Sequence, residues 1–354
     1  MTARVVITGR GVASPLAGEW PAIAGAVQNG ASPAVAPFPG AIAPDPPLCL
    51  PLVPPPGVDG RGRAEPLGAV ATAVAREALT DAGFDLGSPP FDDIGLVMST
   101  VLGPSGTVEA YLERLREKGP RASRPAQFVD TLPSMPGSHV GIALGLRGST
   151  AVIGGSSAVE LALDWIRSGR ERAVVAGGGD LLSPKCARYL RELAARSGHE
   201  RPLPAQAAAF VVLESAARAR ERGAPALGAL LGAGAASEPQ DVAVPWSVDP
   251  EGRAFTVAMR DALADAGVAA GDVRQIALAS GDDASEAGER VAIAGVFGER
   301  SLVLHRPKRL LGEALGGSAG VALLAALAQA GSGVTIVNAF EMGGAVTSLV
   351  LELP

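Results

Sequence analysis

The chain repeats itself, and the repetition restricts its fold more than any single motif. Arg76-Glu77-Ala78-Leu79-Thr80-Asp81-Ala82-Gly83-Phe84 recurs as Arg260-Asp261-Ala262-Leu263-Ala264-Asp265-Ala266-Gly267-Val268. Each copy ends an alanine-rich helix with glycine at the position where a left-handed backbone closes it. A short acidic link and a strand follow, Ile94–Met98 in one copy and Gln275–Ala279 in the other. A second pair stands in register with the first. Gly154-Gly155-Ser156-Ser157-Ala158-Val159 opens a helix leading to a strand at Ala173–Ala176. Gly316-Gly317-Ser318-Ala319-Gly320-Val321 leads in the same way to Val334–Asn338. One order of helix, strand, glycine turn, helix, strand thus occurs twice, about 160–185 residues apart. A duplicated α/β unit is the economical explanation, with residues 1–215 and 216–354 as halves about a pseudo-two-fold axis.

The strands read as unbroken apolar runs, Val5-Val6-Ile7, Ile94-Gly95-Leu96-Val97-Met98 and Phe210-Val211-Val212-Leu213. Such runs suit strands covered by helices on both faces. With 354 residues, 47% of them hydrophobic, the chain can bury a large core. Seven prolines between Pro44 and Pro56 rule out a helix or central strand there and indicate a surface loop.

Charge and cysteine usage exclude several classes. A net charge of −6 without a basic stripe argues against nucleic-acid binding. Cys49 and Cys186 make no disulfide framework and read as structural residues. The chain opens on a strand-like run, and no 18-residue apolar stretch is free of helix breakers, so a cytoplasmic protein off the membrane is expected.

Three segments carry a family resemblance: Val5-Val6-Ile7-Thr8-Gly9-Arg10-Gly11-Val12-Ala13-Ser14-Pro15-Leu16, Gly145-Leu146-Arg147-Gly148-Ser149-Thr150-Ala151, and Val337-Asn338-Ala339-Phe340-Glu341-Met342-Gly343-Gly344. Their order and spacing resemble the β-ketoacyl synthase family. The resemblance implies a thiolase-like α/β fold, two duplicated halves layered α-β-α-β-α. A condensing member of that family uses a cysteine that takes the acyl chain and two histidines that stabilise the enolate. Where the family has Ser-Thr-Ala-Cys-Ala-Ser-Gly, this chain reads Ser149-Thr150-Ala151-Val152-Ile153-Gly154-Gly155, placing Val152 at the nucleophile on a strand-to-helix turn. Glu313 stands at one histidine position, in Lys308-Arg309-Leu310-Leu311-Gly312-Glu313. The other histidine run corresponds to Ala279-Ser280-Gly281-Asp282-Asp283-Ala284-Ser285, where Asp282 marks the vacated place within a residue or two. Among the chain's histidines, His139 reads as structural, His199 as an exposed-loop residue and His305 as a strand end.

Such losses resemble the chain length factor, the ketosynthase β-subunit of type II polyketide synthases. The likeness implies a heterodimer with an active ketosynthase α-subunit, an acyl carrier protein as second partner, no cofactor or metal, and no activity alone. That subunit usually carries Gln where Val152 stands, and valine has no amide to polarise a thioester, so no priming activity is carried over. The likeness also places a chain-length gate at Ser105, Val108 and Leu112, whose small side chains suit a long, polyene product. Core packing for Val108 and Leu112, and a turn role for Ser105, are the plain alternatives. Phe340 and Met342 fall in the closing loop near the pocket, where Glu341 replaces a small glycine. Glu313 and Asp282 are expected to join a stabilising polar network if each finds a partner. A second reading is an acyltransferase or thioesterase using Ser156 or Ser157, whose serines helix capping also explains.

Overall fold

The computed structural model describes residues 3–38, 46–58, 65–197, 201–239, 248–329 and 331–354. Pro44 and His199 lie outside them. The first half runs from β1 (Val5–Ala13) through α1 (Trp20–Gln28), the two-residue strands β2 (Ala36–Pro37) and β3 (Leu48–Cys49), and α2 (Pro66–Asp81) to β4 (Ile94–Thr100). Three helices follow, α3 (Ser105–Lys118), α4 (Pro125–Val129) and α5 (Met135–Leu144), and then β5 (Thr150–Gly154). The half closes with α6 (Ala158–Arg167), β6 (Ala173–Asp180), α7 (Pro184–Ser197) and β7 (Ala207–Ser215). The second half comprises α8 (Ala216–Glu221), β8 (Gly228–Ser237), α9 (Arg253–Ala266), β9 (Val273–Ala277), α10 (Asp283–Phe297), β10 (Val303–His305), α11 (Pro307–Leu311), α12 (Ser318–Gln329), β11 (Gly333–Phe340) and β12 (Ala345–Leu353).

The sheet order makes the duplication explicit. From its middle outward, one side runs β1-β7-β6-β4-β5 and the other β8-β12-β11-β9-β10. The pairing senses match pair for pair: antiparallel, antiparallel, parallel, parallel. A three-residue antiparallel contact, Val5–Ile7 with Leu230–Gly228, joins the two halves. Both predicted helix-closing glycines adopt left-handed backbone, Gly83 at φ +77° and Gly267 at φ +64°.

Core packing separates into layers. One core joins α6 and α12 to residues of both half-sheets, among them Val174, Ala176, Val211, Val337 and Leu351. Neighbouring strand residues that point the other way, such as Ala173, Val175 and Val212, pack with α2 and α5 in a second core. On the far side, α9 and α10 cover Ile276, Ile336 and Val350. Alternation along each strand therefore yields helix, sheet, helix, sheet, helix.

Several strand limits differ from the sequence reading, and two of the differences have a bearing on the site. The run expected to stop at Ala176 continues to Asp180, because Gly177, Gly178 and Gly179 pair with Phe210, Ala209 and Ala208. A Cβ at Gly177 would lie 2.0 Å from the Ala209 carbonyl oxygen, so glycine here permits close strands and ends nothing. The strand expected at Gln275–Ala279 instead spans Val273–Ala277. The described part of the proline-rich stretch holds only the two-residue β3, in a separate ribbon with β2.

Candidate functional site

Val152 lies in mid-strand on β5, not on the turn expected from sequence. Parallel pairing of Met98 with Val152, Ser99 with Ile153 and Thr100 with Gly154 holds it there, and two β-branched residues suit the pleat. The turn comes later, at Gly155–Ser157. The Val152 side chain turns toward the outer helices, where a Cβ at Gly137 would come within 2.4 Å of its Cγ2. It also lines an open groove of about 430 Å3 at the sheet edge, with Leu102, Leu132, Pro133 and Ile153.

Asp282 and Glu313 meet elsewhere. They share a cavity of about 30 Å3 with Arg201, Ser280, Lys308 and Phe340, room for about one water. The Glu313 carboxylate accepts from Lys308 Nζ at 2.6 Å, from the Leu315 amide at 2.9 Å and from the Ser318 hydroxyl at 2.6 Å. Lys308 Nζ also donates to the Phe340 carbonyl at 2.9 Å. Asp282 caps α10, accepting from the Ser285 amide at 2.9 Å and hydroxyl at 2.8 Å, with Arg201 at 3.4 Å. Each carboxylate thus has its partners, and the structure brings these two positions together while leaving Val152 on a different surface.

Beneath this cavity lies a buried acid that the sequence reading missed. Glu289, beyond the reach of solvent, accepts from the amides of Ala279 and Ser280, the Ser280 hydroxyl and Asn338 Nδ2. Burial pushes its carboxyl above the usual range against those hydrogen bonds. A glutamate two turns into a helix carries no local sign of such a role; only folding brings Asn338 to it.

The closing segment divides. Phe340 is the last residue of β11, not part of the loop, and its ring packs against Phe255 at 6.0 Å. Met342 packs instead, like Val101 and Leu102, against the small core that holds Leu182, Leu190 and Leu315. Between them Glu341 accepts hydrogen bonds from the Ser156 amide and, at 2.6 Å, from the Ser156 hydroxyl. A carboxylate at the N-terminus of α6 is favoured by the helix dipole. Ser156 is only 2% exposed, and Ser157, at the N-cap, makes no side-chain capping bond, so neither serine caps α6 as expected. Among the described residues, neither serine is hydrogen-bonded to a histidine.

The gate positions lie on α3. Ser105 begins that helix and its hydroxyl is 3.5 Å from the Leu181 carbonyl. Val108 is half-buried, whereas Leu112 is 54% exposed, which removes core packing as its explanation. The turn leading into α3 is fastened by Asp180, whose carboxylate takes hydrogen bonds from the Thr100 hydroxyl and the amides of Val101, Leu102 and Gly316. Near-complete burial pushes Asp180 up to about 6, against the pull of its four donors.

Neither His305 nor His139 lines either cavity. His305 Nε2 lies 2.9 Å from Gln275 Oε1, and burial lowers its pKa. His139 stands on α5 with Nε2 3.3 Å from Asp130.

Two family profiles cover most of this arrangement: β-ketoacyl synthase, N-terminal domain, over residues 59–219, and β-ketoacyl synthase, C-terminal domain, over residues 230–338. The chain belongs to the β-ketoacyl synthase family. Among relatives, 3-oxoacyl-[acyl-carrier-protein] synthase 2 of Staphylococcus aureus is 28% identical over 274 residues, 71% of this chain and 67% of that protein. Nodulation protein E of Rhizobium leguminosarum bv. trifolii is 29% identical over 285 residues, 75% of this chain and 69% of its own length. Two solved structures share the fold over the full length of both chains. The ishigamide ketosynthase/chain length factor has a TM-score of 0.84 at 21% identity. A type II polyketide synthase acyl-carrier protein in complex with its ketosynthase bound to the hexaketide has a TM-score of 0.86 at 19% identity. Like those structures, this β-ketoacyl synthase family member has a thiolase-like ketosynthase fold. Among the described residues, no helix is long and apolar enough to cross a membrane.

Proposed function

We propose that the chain is a non-catalytic chain length factor, which pairs with an active ketosynthase in the cytoplasm and shapes the tunnel for the polyketide on its acyl carrier protein. One observation carries the reading: the positions vacated at Asp282 and Glu313 are tied into ion pairs around a space for about one water, apart from a valine where the nucleophile would stand. Asp282 and Lys308 also line an open groove of about 670 Å3, but no cysteine or histidine lines either space, so a thioester there meets no attacking group. The neighbouring solved structures include a ketosynthase/chain length factor and a ketosynthase with its acyl-carrier protein, which supports the choice of partners.

The interface it needs is available. Among the described residues, β5 ends the sheet with an unpaired edge, a template for another chain. Leu112, Phe128, Leu132 and Ile142 are exposed in the same stretch of chain, apolar surface of the kind an obligate pair buries. Ser105, Val108 and Leu112 would then gate the tunnel from this side, their small side chains suiting a long, polyene product.

The test is co-expression with a ketosynthase, purification through a tag on that partner, and mass spectrometry of the products. A stoichiometric complex that condenses, with this chain alone inert toward acyl thioesters, is expected. Ser105→Phe in that complex shortens the products by at least one extension unit. Turnover by the chain alone, or products of unchanged length, contradicts the respective part of the reading.

A further inference from the structure

Apolar packing does little to hold α3, the helix that carries the proposed gate. Of its 14 residues, Tyr111 alone is buried. The helix packs on the 3-10 turn Pro120–Ala122, on α4 and on α7. The first two follow α3 in the same stretch between β4 and β5, and neither buries a residue, so neither fixes it against the rest of the molecule. The polar contacts at its far end are local as well. Arg114 Nε donates to the Ala122 carbonyl at 2.9 Å, and the hydroxyls of Tyr111 and Ser123 are 2.8 Å apart.

The segment after β6 supplies the missing anchor. Its residues meet one row of α3 in step: the Leu181 carbonyl is 3.5 Å from the Ser105 hydroxyl, the Ser183 hydroxyl bonds the Glu109 carboxylate, and Lys185 Nζ is 3.2 Å from Glu113. Residues four apart share a helix face. These contacts are unequal. The first is at the outer limit of a hydrogen bond, and the third joins two side chains more than half exposed, a kind of pair that contributes little. The middle one is different. Ser183 is 1% exposed, and its hydroxyl already accepts from the Cys186 amide at 3.2 Å, capping α7. A serine hydroxyl has one proton to donate, and here it goes to Glu109. One buried hydroxyl therefore fastens the start of α7 to the middle of α3.

We propose that Glu109 is a positioning residue for the chain-length gate: by holding the Ser183 hydroxyl it fixes the rotation of α3, and with it how far Ser105, Val108 and Leu112 reach into the passage. The inference rests on the chain length factor reading and adds the residue that keeps the gate selective. Around the helix axis Glu109 stands about 100° from Val108 and about 60° from Leu112. A rotation of α3 that breaks the bond to Ser183 therefore swings the gate side chains by the same angle. With one buried side chain on the helix, little else opposes that rotation.

The experiment uses the purified complex with the ketosynthase and reads product lengths by mass spectrometry. Glu109→Ala is expected to cut the share of the principal length roughly twofold or more, with the amount of copurified ketosynthase unchanged. Glu109→Gln keeps an oxygen that accepts from Ser183 and is expected to restore the wild-type distribution. In the Glu109→Ala chain Ser105→Phe is expected to lose its shortening effect, a coupling that a general loss of stability does not produce. Glu113→Ala removes a carboxylate from the same row and is expected to change the principal share less than about 1.5-fold. Should Glu109→Ala lower the melting temperature, Glu109→Asp, its carboxylate one methylene further back, is expected to move the principal length. An unchanged distribution in both variants overturns the inference. So does Glu109→Gln behaving as Glu109→Ala, or loss of the ketosynthase from the Glu109→Ala chain, which makes Glu109 a subunit contact. If the wild-type chain never copurifies with a ketosynthase, the chain length factor reading fails on its own. Amide hydrogen exchange of α3 in the chain alone then decides the tie: exchange roughly fivefold or more faster in Glu109→Ala and slow again in Glu109→Gln supports it, and equal exchange in all three proteins overturns it.

Discussion

At the scale of single residues, the cavity beside Glu313 is held by charges that must stay paired. Lys308 and Glu313 are both largely buried and 2.6 Å apart. Removing one partner of such a pair leaves a charge stranded in low dielectric, which costs about 3–5 kcal/mol. Glu313→Ala is therefore expected to lower unfolding free energy by about that amount. Lys308→Met with Glu313→Leu should come close to neutral, because no charge is then left alone, and urea unfolding of the three proteins checks both. Restoring the nucleophile tests the opposite idea, that one residue retired the site. Val152→Cys is expected to leave condensation by the chain alone undetectable, since the thiol would sit in mid-strand beside Gly137, apart from the cavity of Glu313 and Asp282. Decarboxylation of a malonyl thioester by that variant, followed by thiol acylation in mass spectrometry, would show that the cysteine alone was missing.

Elements show how far the sequence could be read. Helix ends were legible because their signals are local: Gly83 and Gly267 close α2 and α9 as their positions indicate. Strand ends were not, since Gly177–Gly179 look like a turn until β7 comes near enough to exclude side chains. Glu341 looked like a misplaced carboxylate in a flexible loop. Its partner Ser156 is 185 residues away in sequence, so that hydrogen bond belongs to tertiary structure. The turn before α3 is another such case, and it makes stability depend on pH. Asp180 has a folded pKa of about 6 against roughly 3.9 unfolded, so the native state holds its proton more tightly between those values. The linked stabilisation is complete below about pH 4 and is lost as pH rises to about 6, amounting to about 3 kcal/mol in full. Glu286, held down to about 2 chiefly by Arg306, acts in the opposite direction and in a lower window, losing its stabilisation below about pH 4. Asp180→Asn is expected to remove the slope between pH 4 and 6, seen in melting temperatures across that range. A slope that survives the substitution assigns it to another buried acid such as Glu289, whose pKa is also raised.

For the whole molecule, the duplication fixed the architecture because both copies had to bury equivalent faces. Equivalent helices cover equivalent strands, and the matching strand order follows. What no internal symmetry explains is the stretch between β4 and β5. Here three helices interrupt the first half, whereas α10 alone lies between β9 and β10 in the second. This insertion carries exposed Leu112, Phe128, Leu132 and Ile142, the last 80% exposed. A monomer gains nothing from that exposure, so replacing it should leave the isolated chain as stable as before, within about 0.5 kcal/mol. Ile142→Asp with Leu132→Asp is then expected to keep the melting temperature of the chain alone while weakening its complex with the ketosynthase roughly tenfold or more, about 1.4 kcal/mol. Analytical ultracentrifugation of the mixed proteins separates the outcomes. An unchanged complex would move the interface away from the β4–β5 insertion, whereas an unfolded double variant would make these side chains part of the monomer's own packing. The asymmetry between halves thus locates the surface where this molecule is expected to be incomplete by itself.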